Sequence, residues 1–198
     1  MKQLDRPPTL ETGRTYLHGL RSVLDDLPLD DVQALIDALS DAYEGGRRVF
    51  VVGNGGSAAT ASHMACDLGK TVLGHGPLLP TKRFRAIALT DNVPLITAWG
   101  NDTHYSTVFA EQLRNLAEPG DLLIVITASG NSPNILEAVK AAHELGVRPI
   151  GLLGFDGGAV KGLLHGAVVI ESTNYGHIED AHMILTHLVT DYFKQLCA

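Results

Sequence analysis

Cysteine is nearly absent: Cys66 and Cys197 are the two present in 198 residues. That excludes a disulfide framework and any Cys-x-x-Cys redox or metal motif, and points to a reducing, cytoplasmic setting. Basic residues are outnumbered by acidic ones, 15 to 22, and the net charge of −7 excludes bulk affinity for nucleic acid or a basic membrane patch. No apolar run approaches the ~20 residues of a bilayer span. The opening stretch MKQLDRPPTLETGRTY lacks the apolar segment of a signal peptide, which again predicts a cytoplasmic protein. There are no repeats, no low-complexity tracts and no shift in composition, so residues 1–198 read as one domain. With 45% hydrophobic residues, that domain is long enough to bury a sizeable core.

What is present is a regular alternation. The first ~46 residues read as two helices, with Leu17, Leu20, Val23 and Leu24, then Val32, Leu35, Ile36 and Leu39, at 3–4 spacing. Gly45-Gly46 stops the second. Apolar, β-rich runs follow at 47–53, 85–90, 121–130, 148–154 and 166–172, and the first three lead into helical patterns, one of them over 57–70. A long helix over about 177–196 closes the chain. Strands that are apolar throughout and separated by helices imply a parallel sheet covered on both faces. The fold class is therefore α/β, a doubly wound parallel sheet with N-terminal helices and a long C-terminal helix. Residues 74–83, GHGPLLPTKR, read as the most mobile loop.

Ligands of such folds bind beyond the carboxyl ends of the strands, and those ends are chemically distinctive here. GNGGS at 53–57 opens a turn whose amides can face outward, with Ser57 at the expected helix N-cap. TASGNS at 127–132 repeats the device with three hydroxyls, Thr127, Ser129 and Ser132. Hydroxyls, free amides and helix N-termini suit a phosphate dianion without Lys or Arg. Neither is a Walker-type loop or a dinucleotide fingerprint. The plainer alternative is two tight turns with capping serines.

The helix launched by the first loop carries His63 and Asp67 at i and i+4, on one face, a spacing that suits two ligands of one cation or an acid–base pair. The last helix carries Glu179, Asp180, His182 and His187. Cys66 reads as a small core residue, Lys70 as solvated, and Trp99 as either a wall of the ligand site or core. His104 and Tyr105 are weaker candidates for the ligand site.

GNGGS, TASGNS and the late Tyr-Gly-His…Glu-Asp…His helix together resemble the SIS (sugar isomerase) phosphosugar-binding family, whose domain is flavodoxin-like. Within it the sequence is most similar to the phosphoheptose isomerases, over nearly the whole chain. That resemblance implies conversion of sedoheptulose 7-phosphate to D-glycero-D-manno-heptose 7-phosphate through an enediolate, with one zinc ion per subunit. It aligns His63, Asp67, Glu179 and His187 with the metal set, and Asp67 and His187 with the acid–base pair. It gives Asn54, Gly55, Gly56, Ser57, Asn101, Asp102, Thr127, Ala128, Ser129, Ser132 and Glu179 as substrate-binding. It implies a homotetramer with sites between subunits, the N-terminal region 1–46 serving assembly. Asp67 stands where the family has Glu, and Glu179 where it has Gln, and other divalent metals suit such a set. A non-catalytic SIS protein of the replication-initiator-binding kind, or an isomerase of another phosphosugar, is the alternative. Glu179 and His187 lie eight positions apart, about 12 Å along one helix and about 80° around it. One ion would bridge both only with the two side chains stretched nearly end to end, which predicts that a neighbouring subunit supplies one of them or that the helix begins after Glu179.

Overall fold

The apolar runs pair because, in the middle of a chain with helices on either side, their backbone amides and carbonyls find partners only in one another. A computed structural model describes residues 9–74 and 82–197. In chain order the elements are α1 (Thr9–Asp25), α2 (Leu29–Glu44), β1 (Arg48–Gly53), α3 (Gly56–Gly69), β2 (Arg85–Ala88), α4 (Val93–Asp102) and α5 (Ala110–Leu116), then β3 (Leu122–Thr127), α6 (Pro133–Glu144), β4 (Arg148–Gly154), β5 (Gly166–Ile170) and α7 (Tyr175–Cys197). The five strands form one parallel sheet in the order β2-β1-β3-β4-β5. This is the flavodoxin-like doubly wound order, with its reversal between β1 and β3.

Alternate residues of each strand feed the two faces. Val49, Val51, Ile124, Ile126, Leu152 and Val168 pack under α2, α3 and α7, against Leu35, Leu39, Met64, Leu68, Leu185 and Phe193. Phe50, Val52, Leu123, Val125 and Leu153 pack on the other face against Leu113 of α5 and Ile135 and Val139 of α6. Phe50 and Phe193 are fully buried, each contributing about 1.5–3 kcal/mol by removal from water.

Helix α2 begins with Asp30 and Asp31 in its first turn, where carboxylates suit the dipole. It ends at Gly45, with Gly46 at φ 63° continuing the turn. Helix α1 has no buried residue, and Leu10 and Leu17 are exposed. It is fastened to α7 by one polar knot. The Tyr16 hydroxyl donates to Asp180 Oδ2 at 2.6 Å and its ring stands edge-on to His177 at 4.6 Å. That hydrogen bond raises the phenol to about 12. Gly19 leaves room for the His177 ring, which a Cβ there would strike.

The structure corrects several boundaries. The helix expected at 57–70 starts one residue earlier, with Gly55 as its cap at φ 55°, so Ser57 lies in the first turn and caps nothing. The strands expected over 85–90, 121–130 and 166–172 pair only over 85–88, 122–127 and 166–170. Helix α7 begins at Tyr175, before Glu179, which removes the reading in which the helix starts after that residue. Cys66 is exposed rather than core. Helix α3 buries Ser57, Thr60, Ala61, Met64, Asp67 and Leu68, and Cys66 falls off that stripe. Most of the loop expected to be mobile, residues 75–81, lies outside the described residues.

Candidate functional site

β1 and β3 are neighbours, yet α3 follows β1 onto one face and α6 follows β3 onto the other. The chain therefore opens a crevice beyond their carboxyl ends, and GNGGS and TASGNS are the two loops that line it. In the first loop, Gly55 holds φ 55° and ψ −121°, which only glycine adopts readily. A Cβ on Gly53 would lie 2.6 Å from the Ser57 backbone. The loop thus delivers the first-turn amides of α3 to the crevice. Ser57 is buried, and its hydroxyl bonds to none of the described residues.

In the second loop the Thr127 hydroxyl accepts from the Gly130 amide at 3.2 Å, and Ser129 Oγ accepts from the Asn131 amide at 3.3 Å. Both keep their own protons to give. Ser132 caps α6 in extended conformation with its hydroxyl unused, and Pro133 opens the helix. The loop is braced from behind by residues 154–160. Asn131 donates to the Ser129 carbonyl at 2.8 Å and accepts from the Ala159 amide at 3.0 Å, while Gly130, at φ 63°, lies directly on the Gly157 carbonyl. Asn54 and the buried Asn134 join the two loops by reciprocal amide bonds of 2.9 and 2.8 Å.

Below the crevice, α3 and α7 run side by side in the same direction. Gly56 meets Glu179, His63 meets His187, and Asp67 meets Thr190, each pair 123 or 124 positions apart. The pairing creates two levels, about 12 Å apart on the eight-residue step from Glu179 to His187. At the lower level His63 Nε2 lies 3.3 Å from Asp67 Oδ2 and 3.1 Å from His187 Nε2. One donor atom from each of the three residues falls within 4.8 Å of the other two. A tetrahedral ion with ~2.0–2.1 Å bonds separates its ligand atoms by about 3.3 Å, so this donor set fits a zinc-type cation with a position left open. The carboxylate of Asp67 is buried and held at both oxygens, by Thr71 Oγ1 at 2.7 Å and Thr190 Oγ1 at 3.2 Å. Thr190 shares its proton with the Thr186 carbonyl at 2.8 Å. His63 and His187 face outward.

Glu179 is the exception among the expected ligands. It belongs to the upper level, where its half-buried carboxylate lies against Gly56, and a Cβ there would come within 2.6 Å of Oε1. Within one chain it stands outside the His63–Asp67–His187 cluster. The helix is continuous from Tyr175, so an ion at the cluster would reach Glu179 of the same chain only with the side chains stretched nearly end to end.

Asn101 and Asp102 end α4, exposed and bonded to each other at 2.8 Å. Their segment reaches the crevice through Tyr105, whose hydroxyl donates to Asn54 Oδ1 at 3.2 Å. Ala128 is buried behind the second loop, and His104 and Lys70 are exposed. Trp99 packs on the apolar cluster under α5 and α6, with its buried Nε1 unpartnered among the described residues. His182 is structural. It is buried, bonded through Nε2 to the Leu153 carbonyl at 3.1 Å, and desolvation lowers it to about 4. Sequence reasoning missed Thr71, Thr190 and Asn134. The two threonines carried a signal, at i+4 from Asp67 and i+3 from His187, on the ligand faces of their helices.

Residues 15–154 match the SIS domain family. The chain is 36% identical over 186 residues to the phosphoheptose isomerase of Geobacter sulfurreducens, covering 94% of each. Its fold superposes on the phosphoheptose isomerase of Neisseria gonorrhoeae with a TM-score of 0.85 at 28% identity, covering 95% of this chain and 100% of that one. The enzyme from Francisella tularensis gives 0.83 at 33% identity, over 96% and 100%.

Proposed function

The chain belongs to the SIS-domain family, and from that premise we propose that it converts sedoheptulose 7-phosphate to D-glycero-D-manno-heptose 7-phosphate with the help of one zinc ion per subunit. It is an aldose–ketose isomerase of the phosphoheptose isomerase type. The observation that carries the reading is the vertical arrangement of the site. Along α3 the phosphate-type loop at Ser57 precedes His63 by six residues, about 9 Å of helix, and the His63–Asp67–His187 cluster follows, an offset roughly the span of a seven-carbon phosphosugar.

Ser57, Thr127, Ser129 and Ser132 take the phosphate, with the helix N-termini behind them. Asn54, Gly55, Gly56, Asn101, Asp102 and Glu179 bind the sugar hydroxyls, and the buried Ala128 shapes the back of the loop. His63, Asp67 and His187 would hold the cation, which supplies Lewis-acid polarisation of the carbonyl when bound. Asp67 and His187 share the acid–base work. A proton leaves carbon 1, the electron pair moves to give the enediolate, and a proton returns at carbon 2 while the oxygen-bound proton changes place. Asp67 is pinned by two threonines, whereas His187 faces the open side, so His187 is the better placed to carry protons.

A homotetramer with sites between subunits fits the exposed Leu10 and Leu17 of α1. It also fits the distance of Glu179 from its own chain's cluster, since a neighbouring subunit would then bring a Glu179 to it. A cytoplasmic location fits the scarcity of cysteine. No helix among the described residues is long and apolar enough to cross a membrane.

The test is metal content of the purified protein by mass spectrometry, paired with turnover of sedoheptulose 7-phosphate. About one zinc per chain, with both metal and turnover lost in His63→Ala, is the expected result. Metal without turnover transfers the reading to another phosphosugar. Neither metal nor turnover leaves a binding protein and overturns catalysis.

A further inference from the structure

The Asn54 amide has two lone pairs and two N–H groups, and the structure consumes three of the four. Its Oδ1 accepts from Asn134 Nδ2 at 2.8 Å and from the Tyr105 hydroxyl at 3.2 Å, and its Nδ2 donates to Asn134 Oδ1 at 2.9 Å. One N–H remains for a ligand. The three residues come from three segments: the loop after β1, the first turn of α6, and the turn that follows α4. Asn134 is buried, and its side chain bonds only to Asn54 among the described residues. Tyr105 is 59% exposed, and a Cβ added on Gly100 would lie 3.8 Å from its ring. An exposed tyrosine whose hydroxyl reaches across a glycine to a loop amide is a tether between two segments.

We propose that Asn134 and Tyr105 are positioning residues for the isomerisation. Asn134 locks the Asn54 amide so that it presents a donor to the sugar, and Tyr105 ties the segment carrying Asn101 and Asp102 to that same amide. The two loops of the crevice and the 100–107 segment are thereby preorganised as one body, and substrate binding is spared the cost of ordering them. The inference rests on the function proposed above for this crevice.

Tyr105→Phe removes one hydroxyl at an exposed position and leaves the core alone. The expected result is a roughly fivefold rise in KM for sedoheptulose 7-phosphate, the value of one ordinary hydrogen bond, with kcat within about twofold. Inhibition by inorganic phosphate, which the 127–132 loop binds, stays unchanged, as does the melting temperature. In ligand-free protein, amide hydrogen exchange over 100–107 accelerates roughly fivefold. Asn134→Leu, matched in size, raises KM and weakens phosphate inhibition together, because it unlocks both loops. Unchanged KM and unchanged exchange in Tyr105→Phe overturn the proposal, and so does an equal loss in kcat and kcat/KM. If the wild-type protein does not turn over sedoheptulose 7-phosphate, the proposed substrate falls, and the exchange rates still decide the tether.

Discussion

Lowering the pH should weaken this fold through one buried imidazole, and the size of the effect follows from its surroundings. His182 is 1% exposed, and its Nε2 bond to the Leu153 carbonyl fixes the tautomer with the proton on Nε2. Nδ1 is buried without a partner among the described residues, so a second proton there would meet no acceptor. Desolvation lowers the group from its ordinary 6.5 to about 4. In the unfolded chain it takes a proton near 6.5, and in the folded chain it stays neutral until about 4. Between those values the unfolded state binds more protons, so stability rises with pH across this window. The contribution is complete above about pH 6.5 and is lost as the pH falls toward 4. At 1.36 kcal/mol per pH unit this amounts to about 2 kcal/mol between pH 7 and pH 5, and about 3 kcal/mol by pH 4. His182→Gln keeps a donor for the Leu153 carbonyl and does not titrate. Urea unfolding of both proteins at pH 7, 6 and 5, at one fixed protein concentration, isolates the term. The stability difference between them should shift by about 2 kcal/mol in favour of the variant from pH 7 to pH 5. A difference that stays constant with pH refutes the reasoning.

Two further outcomes follow from the site and its bracing. Thr190→Val removes the hydroxyl from Asp67 Oδ2 and keeps the shape, so zinc affinity measured by competition with a chelator should fall about 10–100-fold, and an unaltered affinity would show that the threonine does not orient the carboxylate. Gly130→Ala puts a methyl into the Gly157 carbonyl at φ 63°, and should cost at least about 1–3 kcal/mol in urea unfolding while abolishing inhibition by inorganic phosphate.

The architecture was legible because its signals are local. Five apolar runs of strand length, separated mainly by helical patterns, admit few folds other than a covered parallel sheet. What the runs do not encode is where pairing stops: 128–130 read as a continuation of β3, yet the chain bends away after Thr127 to form the loop. Smallness and apolarity suggest the core for Cys66, whereas the buried stripe of α3 runs through Met64, Asp67 and Leu68 and misses it. The cluster itself was visible in part. His63 and Asp67 announce themselves by spacing along one helix, whereas the register that brings His187 to them is a property of tertiary packing. The same register places Glu179, a ligand by the family resemblance, about two turns of α7 from the cluster of its own chain. Asn134 carried no signal, since its role exists only once two loops from different strands meet.

The parallel pairing of α3 and α7 also has a bearing on how the protein is made. The hydrogen bonds that tie α3 to α7 at the lower level, His63 to His187 and Asp67 to Thr190, join positions 124 and 123 residues apart, among the most sequence-distant contacts in the fold. Closing so long a loop comes late in folding, after local elements have formed. A chain emerging from the ribosome carries the phosphate-type loops well before His187 and Thr190 arrive. On the function proposed above, the phosphate loops are thus complete in sequence before the metal cluster is, and metal uptake would report completion of the fold.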